Sequence, residues 1–174
     1  MRWQITGSAA IVAIALTLTS VAPASGQTKG HESYRGVIVA SSESGTRTVV
    51  GTLIAFKGVF RSVGRLVEVA SRASDPANVL RDDLIFPGGK MHLVSTVKSF
   101  KTLVDPKTCA ARIRVRQTGR IRGGTGKFRH AAGRFVGSLD GWGVTSRNPH
   151  GTCSQQGESI LEVALVSGRG TLSF

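Results

Sequence analysis

The chain has 174 residues, with 22 glycines, 5 prolines and only 6% aromatic residues. Lys and Arg total 23 against 10 Asp and Glu, which gives a formal net charge of +13. The length allows one ordinary domain with a real core, and the absence of long apolar segments at helical spacing argues against a mainly helical protein. The charge predicts attraction to polyanions, although solubility and coding bias would explain it equally well.

The first 24 residues have the pattern of a secretory signal peptide. A short positive start with Arg2 precedes an apolar run from Ala9 to Leu18, and Ala22 and Ala24 meet the small-residue rule for cleavage. We place cleavage after Ala24, with Gly26 as the alternative. The apolar run is too short for a membrane anchor, which needs roughly 20 residues. The sequence therefore predicts a secreted protein, with a flexible leader over residues 25–33 and one domain over residues 34–174.

Short segments rich in β-branched residues follow one another along the predicted domain, separated by turn chemistry. About eight strands and no helix are expected, and this pattern predicts an antiparallel β-barrel of about eight strands, with a β-sandwich as the alternative. In chain order the segments are Tyr34–Ala40, Thr48–Phe56, Gly58–Ala70, Asp82–Phe86, Met91–Phe100, Arg112–Arg116, a strand pair around Phe128–Trp142, and Ser159–Val166.

The last segment alternates clearly. Leu161, Val163 and Leu165 fall on one face of the predicted strand, and Glu162 falls on the other.

Cys109 and Cys153 are the only cysteines. In an exported chain such a pair predicts a disulfide, because the compartment is oxidising. A zinc site is the competing interpretation, but no His pair lies nearby at ligand spacing.

Asp82 and Asp83 form the most interesting acidic pair. Adjacent strand residues point to opposite faces, so at most one of them enters a cavity. Asp83 is the weak candidate for a catalytic acid with a raised pKa, and the alternative is that both aspartates form hydrogen bonds in a turn. The catalytic residues are otherwise unknown. The glycine run near Lys127 fails the phosphate-loop pattern, the four histidines lack ligand spacing, and we predict neither a cofactor nor a metal.

A basic stretch covers the middle of the chain. Alternation places Ile113 and Val115 on one face of a strand and arginines on the other, about 7 Å from one to the next. These arginines could bind an anionic polymer or membrane surface, or they could protect an exposed strand edge from aggregation. Specific nucleic acid binding is not expected, because aromatic residues are not interleaved with the arginines. The candidates are Arg112, Arg114, Arg116, Arg120 and Arg122.

The segment from Gly123 to Gly133 resembles the signature motif of a known protein family. It is similar to the Gly-Gly-Thr-Gly-x-Phe-x-x-Ala-x-Gly signature of plant dirigent proteins, and the wider chain looks like secreted bacterial members of the allene oxide cyclase barrel-like group. The Asp83 to Gly88 turn and the Asp105 to Cys109 turn precede the motif in the same order. Where dirigent proteins commonly carry an arginine, this chain has Ala132. The motif residues are Gly123, Gly124, Thr125, Gly126, Phe128 and Gly133.

The resemblance implies an eight-stranded antiparallel barrel whose apolar interior holds a small ligand, often assembled as a trimer. The leading hypothesis is a secreted, non-catalytic barrel that binds a small apolar ligand. The alternatives are a basic surface that binds an anionic envelope polymer, and an isomerase or cyclase of the allene oxide cyclase type.

Overall fold

The structure, a computed structural model, describes residues 28–43, 46–154 and 159–174. Each strand pairs antiparallel with the next, and the last pairs with the first, so the sheet closes into a barrel. The prediction of an eight-stranded antiparallel barrel is confirmed, and the sandwich alternative is excluded. The strands are β1 (Lys29–Glu43), β2 (Thr46–Gly58), β3 (Ser62–Val69), β4 (Val79–Phe86), β5 (Gly89–Val104), β6 (Ala110–Gly124), β7 (Ala132–Thr145) and β8 (Ser159–Ser173).

The predicted signal peptide, residues 1–24, lies outside the described residues. Within the residues that the structure does describe, no helix has both the length and the apolar character needed to cross a membrane.

β1 begins at Lys29, within the predicted flexible leader of residues 25–33, so residues 29–33 belong to a strand, whereas residues 25–27 lie outside the described residues. Thr28 and Phe174 exchange two backbone hydrogen bonds of 3.1 Å, and Lys29 pairs with Ser173. The buried carboxylate of Glu32 accepts a hydrogen bond of 2.8 Å from the N–H of Phe60 and so holds the β2–β3 turn. Residues 29–33 have the local sequence pattern of a polar leader. They form a strand because their hydrogen-bond partners lie in distant parts of the chain, which the local pattern does not show.

Aromatic side chains fill one end of the barrel, here called the plug. The ring of Phe60 lies 5.0 Å from that of Phe86 and 5.2 Å from that of Phe128, both edge to face. Phe174 contacts Phe128 at 5.8 Å, and Phe128 is 0% exposed. Phe128 is therefore a core residue, and the plug closes this end of the barrel.

The glycine motif builds this end of the barrel. A 3-10 helix over Gly126–Phe128 follows β6, and the N–H of Lys127 donates to the carbonyl of Gly88 at 3.0 Å. Gly126 has a φ of +59°, and a Cβ there would collide with the Gly88 carbonyl. The motif therefore fastens the β6–β7 connection to the β4–β5 turn and sets Phe128 in place.

The opposite end of the barrel, here called the mouth, carries the disulfide. Cys109 and Cys153 are joined, as predicted, and they connect the β5–β6 turn to the β7–β8 loop. The Asp105 carboxylate accepts backbone N–H bonds from Lys107 at 2.7 Å and Thr108 at 3.1 Å, which lowers its pKa.

The outer face of β8 is apolar. Leu161, Val163 and Leu165 are 51%, 40% and 51% exposed, whereas Glu162 and Ala164 point inward and are buried. The predicted alternation is present, and the barrel turns the acidic face inward.

Candidate functional site

A cavity of about 470 Å³ fills the barrel between the plug and the mouth, and it is partly open to solvent. This size falls in the usual range for small-molecule sites. Its walls are mainly apolar because the inward positions of all the strands are mostly aliphatic or aromatic. The apolar lining consists of Ile38, Ile54, Phe56, Leu66, Leu80, Leu84, Leu93, Phe100, Val104, Ile113, Val115, Ile121, Phe135, Leu139 and Val166.

Tyr34 stands at the base of the cavity. Its ring stacks on Phe56 at 5.6 Å and meets Phe135 edge-on at 5.6 Å. A Cβ at Gly168 would collide with this ring, so the glycine makes room for it. Burial raises the pKa of the Tyr34 hydroxyl, and the Gln117 side chain acts on it in the opposite sense as a hydrogen-bond partner. The hydroxyl is therefore held neutral, as a donor or acceptor for whatever enters.

Arg47 crosses the mouth. Its Nη1 lies 2.8 Å from Glu68 Oε1, and its Nε lies 3.3 Å from Glu162 Oε2. One guanidinium group thus forms salt bridges with two carboxylates, one on β3 and one on β8. The Glu68 side chain is 50% exposed, so solvent reaches this end of the site.

Of the adjacent pair Asp82 and Asp83, Asp82 is the one that faces the cavity. It lies beside Glu68 in the β3–β4 register, and no hydrogen bond or ion pair joins its carboxylate to any described residue. Burial, followed by the charges of Glu68 and Asp83, raises the pKa of Asp82 to about 7, against a smaller opposing effect of Arg47. Asp82 is therefore poised to change charge near neutral pH.

Asp83, the candidate from the sequence, lies on the outer face of β4. Its carboxylate contacts Lys90 Nζ at 2.6 Å and His92 Nδ1 at 2.6 Å. Partial burial acts to raise the pKa of Asp83, but hydrogen bonds from Lys90 and His92 outweigh it and lower the pKa. The expectation that adjacent aspartates separate to opposite faces holds, and Asp82 is the one inside.

The arginines of β6 lie on the outer face, as alternation predicts, while Ile113 and Val115 line the cavity. β6 is hydrogen-bonded to β5 and β7, so protection of an exposed edge no longer explains them. Arg112 stacks over the Trp142 ring at 5.6 Å, and Arg114 lies 3.5 Å from Asp140.

A second concave surface, here called the basic groove, covers the outside of β4, β5 and β6 and has a volume of about 760 Å³. Asp75 pairs with Arg81 at 2.6 Å, which lowers the pKa of Asp75, and Asp83 pairs with Lys90. Among the described residues no acid forms a salt bridge with Lys98, Arg120 or Arg122. The basic side chains of the groove are Arg72, Arg81, Lys90, His92, Lys98, Arg120 and Arg122.

Neither a metal nor a known relative points to the ligand. Within residues 28–43, 46–154 and 159–174, no three His, Cys, Asp or Glu side chains are grouped so as to hold a metal ion. No family model, no curated protein and no solved structure matches the chain. The resemblance to the allene oxide cyclase barrel-like group stays a prediction.

Sequence reasoning missed the polar residues of the cavity. Tyr34, Arg47 and Glu68 belong to three different strands, and none stands in a recognisable motif. The one available signal was alternation along β4, which places Asp82 on the same face as Leu80 and Leu84.

Proposed function

We propose that this protein is a secreted binding protein that holds a small apolar ligand inside its barrel and performs no chemistry on it. The observation that carries the proposal is the cavity of about 470 Å³ with mainly apolar walls. Small β-barrels with a vacant interior commonly hold a single small ligand. Burial of apolar ligand surface would supply the affinity, and the few polar groups would orient the ligand.

The cavity is closed at the plug and open at the mouth. Phe60, Phe86 and Phe128 close one end, so a ligand must enter past Arg47 and Glu68. The resemblance to the allene oxide cyclase barrel-like group agrees with this proposal.

The first prediction uses two Val→Trp variants on adjacent strands. Val115 lines the cavity from β6, whereas Val136 on β7 is 65% exposed on the outer face. Val115→Trp is expected to fill the cavity and weaken binding of the neutral dye Nile red by about tenfold or more, which corresponds to about 1.4 kcal/mol. Val136→Trp should leave it unchanged. Fluorescence titration measures both affinities, and equal affinity of the two variants for Nile red would contradict the proposal.

Native mass spectrometry of the protein purified from its own secretion medium provides a direct check. A ligand-binding barrel should release a reproducible extra mass on mild unfolding, and Val115→Trp should lack it. The same spectrum reads the assembly state, for which the resemblance predicts a homo-oligomer. A bare protein mass together with no dye binding would count against an internal ligand.

The basic groove favours a second candidate function, the binding of an anionic envelope polymer. Lys98, Arg120 and Arg122 line this concave surface, and among the described residues none of them forms a salt bridge with an acid. The aspartates Asp75 and Asp83 of the same surface are paired with Arg81 and Lys90. Arginine forks can grip carboxylate, sulfate or phosphate groups there.

The second prediction tests this groove with dextran sulfate as the polymer. Arg120→Ser/Arg122→Ser should weaken binding about tenfold at low salt, and wild-type affinity should fall steeply as salt increases. Arg112→Ser/Arg114→Ser removes the same charge from the same strand outside the groove, where Trp142 and Asp140 already engage these arginines. If the two double variants lose equal affinity, net charge alone is responsible and the groove is not a site.

A further inference from the structure

The charge inside the barrel is opposite to the charge outside. The chain as a whole has a formal charge of +13. The cavity contains three carboxylates, those of Glu68, Asp82 and Glu162, and one guanidinium, that of Arg47. The interior cluster therefore has a formal charge of −1 when Asp82 is protonated and −2 when it is ionised.

The geometry assigns the single cation to two of these carboxylates. Arg47 binds Glu68 at 2.8 Å and Glu162 at 3.3 Å, and Asp82 is left without an ion-pair partner among the described residues. Asp82 and Glu68 face each other across the β3–β4 pair, a placement that is unfavourable for like charges. Asp82 is therefore the carboxylate of the cluster that lacks a cationic partner within the described part of the chain.

The rest of the cavity limits what could supply that cation. The walls near Asp82 include Leu80, Leu84 and Leu66, so the missing group must arrive on an apolar body. A ligand carboxylate would meet three carboxylates, and the guanidinium that could receive it is already engaged. A ligand alcohol could donate a hydrogen bond to Asp82 but would leave its charge uncompensated.

We propose that the cavity takes an amphipathic amine, with its ammonium group beside Asp82 and Glu68 and its apolar body against the aliphatic walls. The inference rests on the proposed function, because it names the class of ligand for the same cavity. An ammonium group donates up to three hydrogen bonds, and bonds to a carboxylate that is out of bulk water are the stronger kind. The positive outer surface would not attract such a ligand, so any preference for the amine must come from the cavity.

The inference also predicts how affinity changes with pH. Burial and Glu68 raise the pKa of Asp82 to about 7 in the free protein. Below that pH the carboxyl group of Asp82 is protonated and attracts an ammonium group only weakly. An alkylamine itself stays charged up to about pH 10. Affinity for the amine should therefore rise between about pH 5 and pH 8. The charged or titratable groups that line the same cavity as Asp82 are Tyr34 from β1, Arg47 from β2, Glu68 from β3 and Glu162 from β8. Asp83 is its neighbour on β4, and Asp82 also borders the basic groove.

Three ligands with the same alkyl chain provide the test: decylamine, decanol and decanoate. In isothermal titration calorimetry at about pH 8 we expect decylamine to bind at least about tenfold more tightly than decanol, and decanoate to bind most weakly. Asp82→Asn should weaken decylamine about tenfold, leave decanol unchanged and remove the pH dependence. Asp83→Asn, one residue away on the outer face, is the matched control: it should leave the three affinities at about pH 8 unchanged and keep the pH dependence, with its midpoint moved slightly to lower pH because the charge of Asp83 adds to the raised pKa of Asp82.

The outcomes separate this inference from the proposed function. Equal binding of decylamine and decanol, or tightest binding of decanoate, would overturn the amine while leaving an apolar site in place. Loss of decylamine binding in Asp83→Asn but not in Asp82→Asn would place the amine outside the barrel and overturn the inference. If none of the three ligands binds, the proposed function fails with it.

Discussion

Asp82→Asn is expected to stabilise the protein at about pH 8, by up to about 4 kcal/mol. Burial and neighbouring carboxylates raise the pKa of Asp82 from 3.8 to about 7. Each pKa unit between the folded and unfolded states corresponds to about 1.4 kcal/mol of unfolding free energy. The full amount is an upper bound, since solvent that enters through the mouth reduces the cost of burying the charge.

The direction of the pH dependence follows from proton binding. Between about pH 4 and pH 7 the folded state holds a proton on Asp82 that the unfolded state has released, so Asp82 makes the free energy of unfolding fall as pH rises. Above about pH 7 Asp82 is ionised in both the folded and the unfolded state, so its effect on the free energy of unfolding no longer changes with pH. The stability difference between Asp82→Asn and wild type should therefore vanish near pH 3 to 4 and grow to its full size by about pH 8. Urea unfolding over this pH series measures it.

Asp83→Asn gives the control with the opposite sign. The pKa of Asp83 is lowered by Lys90 and His92, so its contribution to stability is present above the unfolded pKa of about 3.9 and is lost as pH falls through its folded pKa. The Asn variant should be no more stable than wild type at neutral pH, and less stable by no more than about 1 kcal/mol, since this pair lies near the surface. A gain from Asp83→Asn, or a pH-independent effect of Asp82→Asn, would contradict the placement of the two side chains.

A destabilising acid in the barrel agrees with the proposal that the cavity is a binding site. Residues that lower stability tend to be retained where a binding site needs them. A cationic ligand beside Asp82 would offset the free-energy cost of burying its ionised carboxylate. The ligand should therefore stabilise the wild type more than the Asn variant.

Removal of the disulfide is expected to have an effect of similar size. Cys109 and Cys153 are separated by 44 positions, and the chain-entropy model assigns about 4 kcal/mol to closing a loop of that length. Cys109→Ala/Cys153→Ala should lower the free energy of unfolding by about that amount. Guanidinium unfolding of the variant and of the reduced wild type should agree, because both lack the same crosslink.

The same variant should loosen the mouth. Thr145 lines the cavity, and its N–H donates to the carbonyl of Cys109 at 2.9 Å. The plug lies at the other end and has no contact with the bond, so amide hydrogen exchange should increase around Thr145 and stay slow around Phe128. A stability loss below about 1 kcal/mol would mean that the loops are held mainly by Arg147, which donates to the carbonyls of Lys107 and Gly151.

Much of the fold could be read from local patterns. Period-two alternation places Ile113 and Val115 opposite their arginine neighbours whatever the partner strands are, because it is a property of the extended chain. Glycines at the turns and the cysteine pair follow from equally local chemistry, and together these patterns led to the eight-stranded barrel and its disulfide.

Only the tertiary structure decided which face of each strand points inward and which residues meet there. β8 presents its leucines outward and Glu162 inward because Glu162 finds Arg47, which lies 115 positions away in the chain. Asp82, rather than Asp83, became the cavity acid because the β3–β4 register sets it beside Glu68. Alternation determines that neighbours separate but not which of them is buried, since that choice depends on partners distant in the sequence.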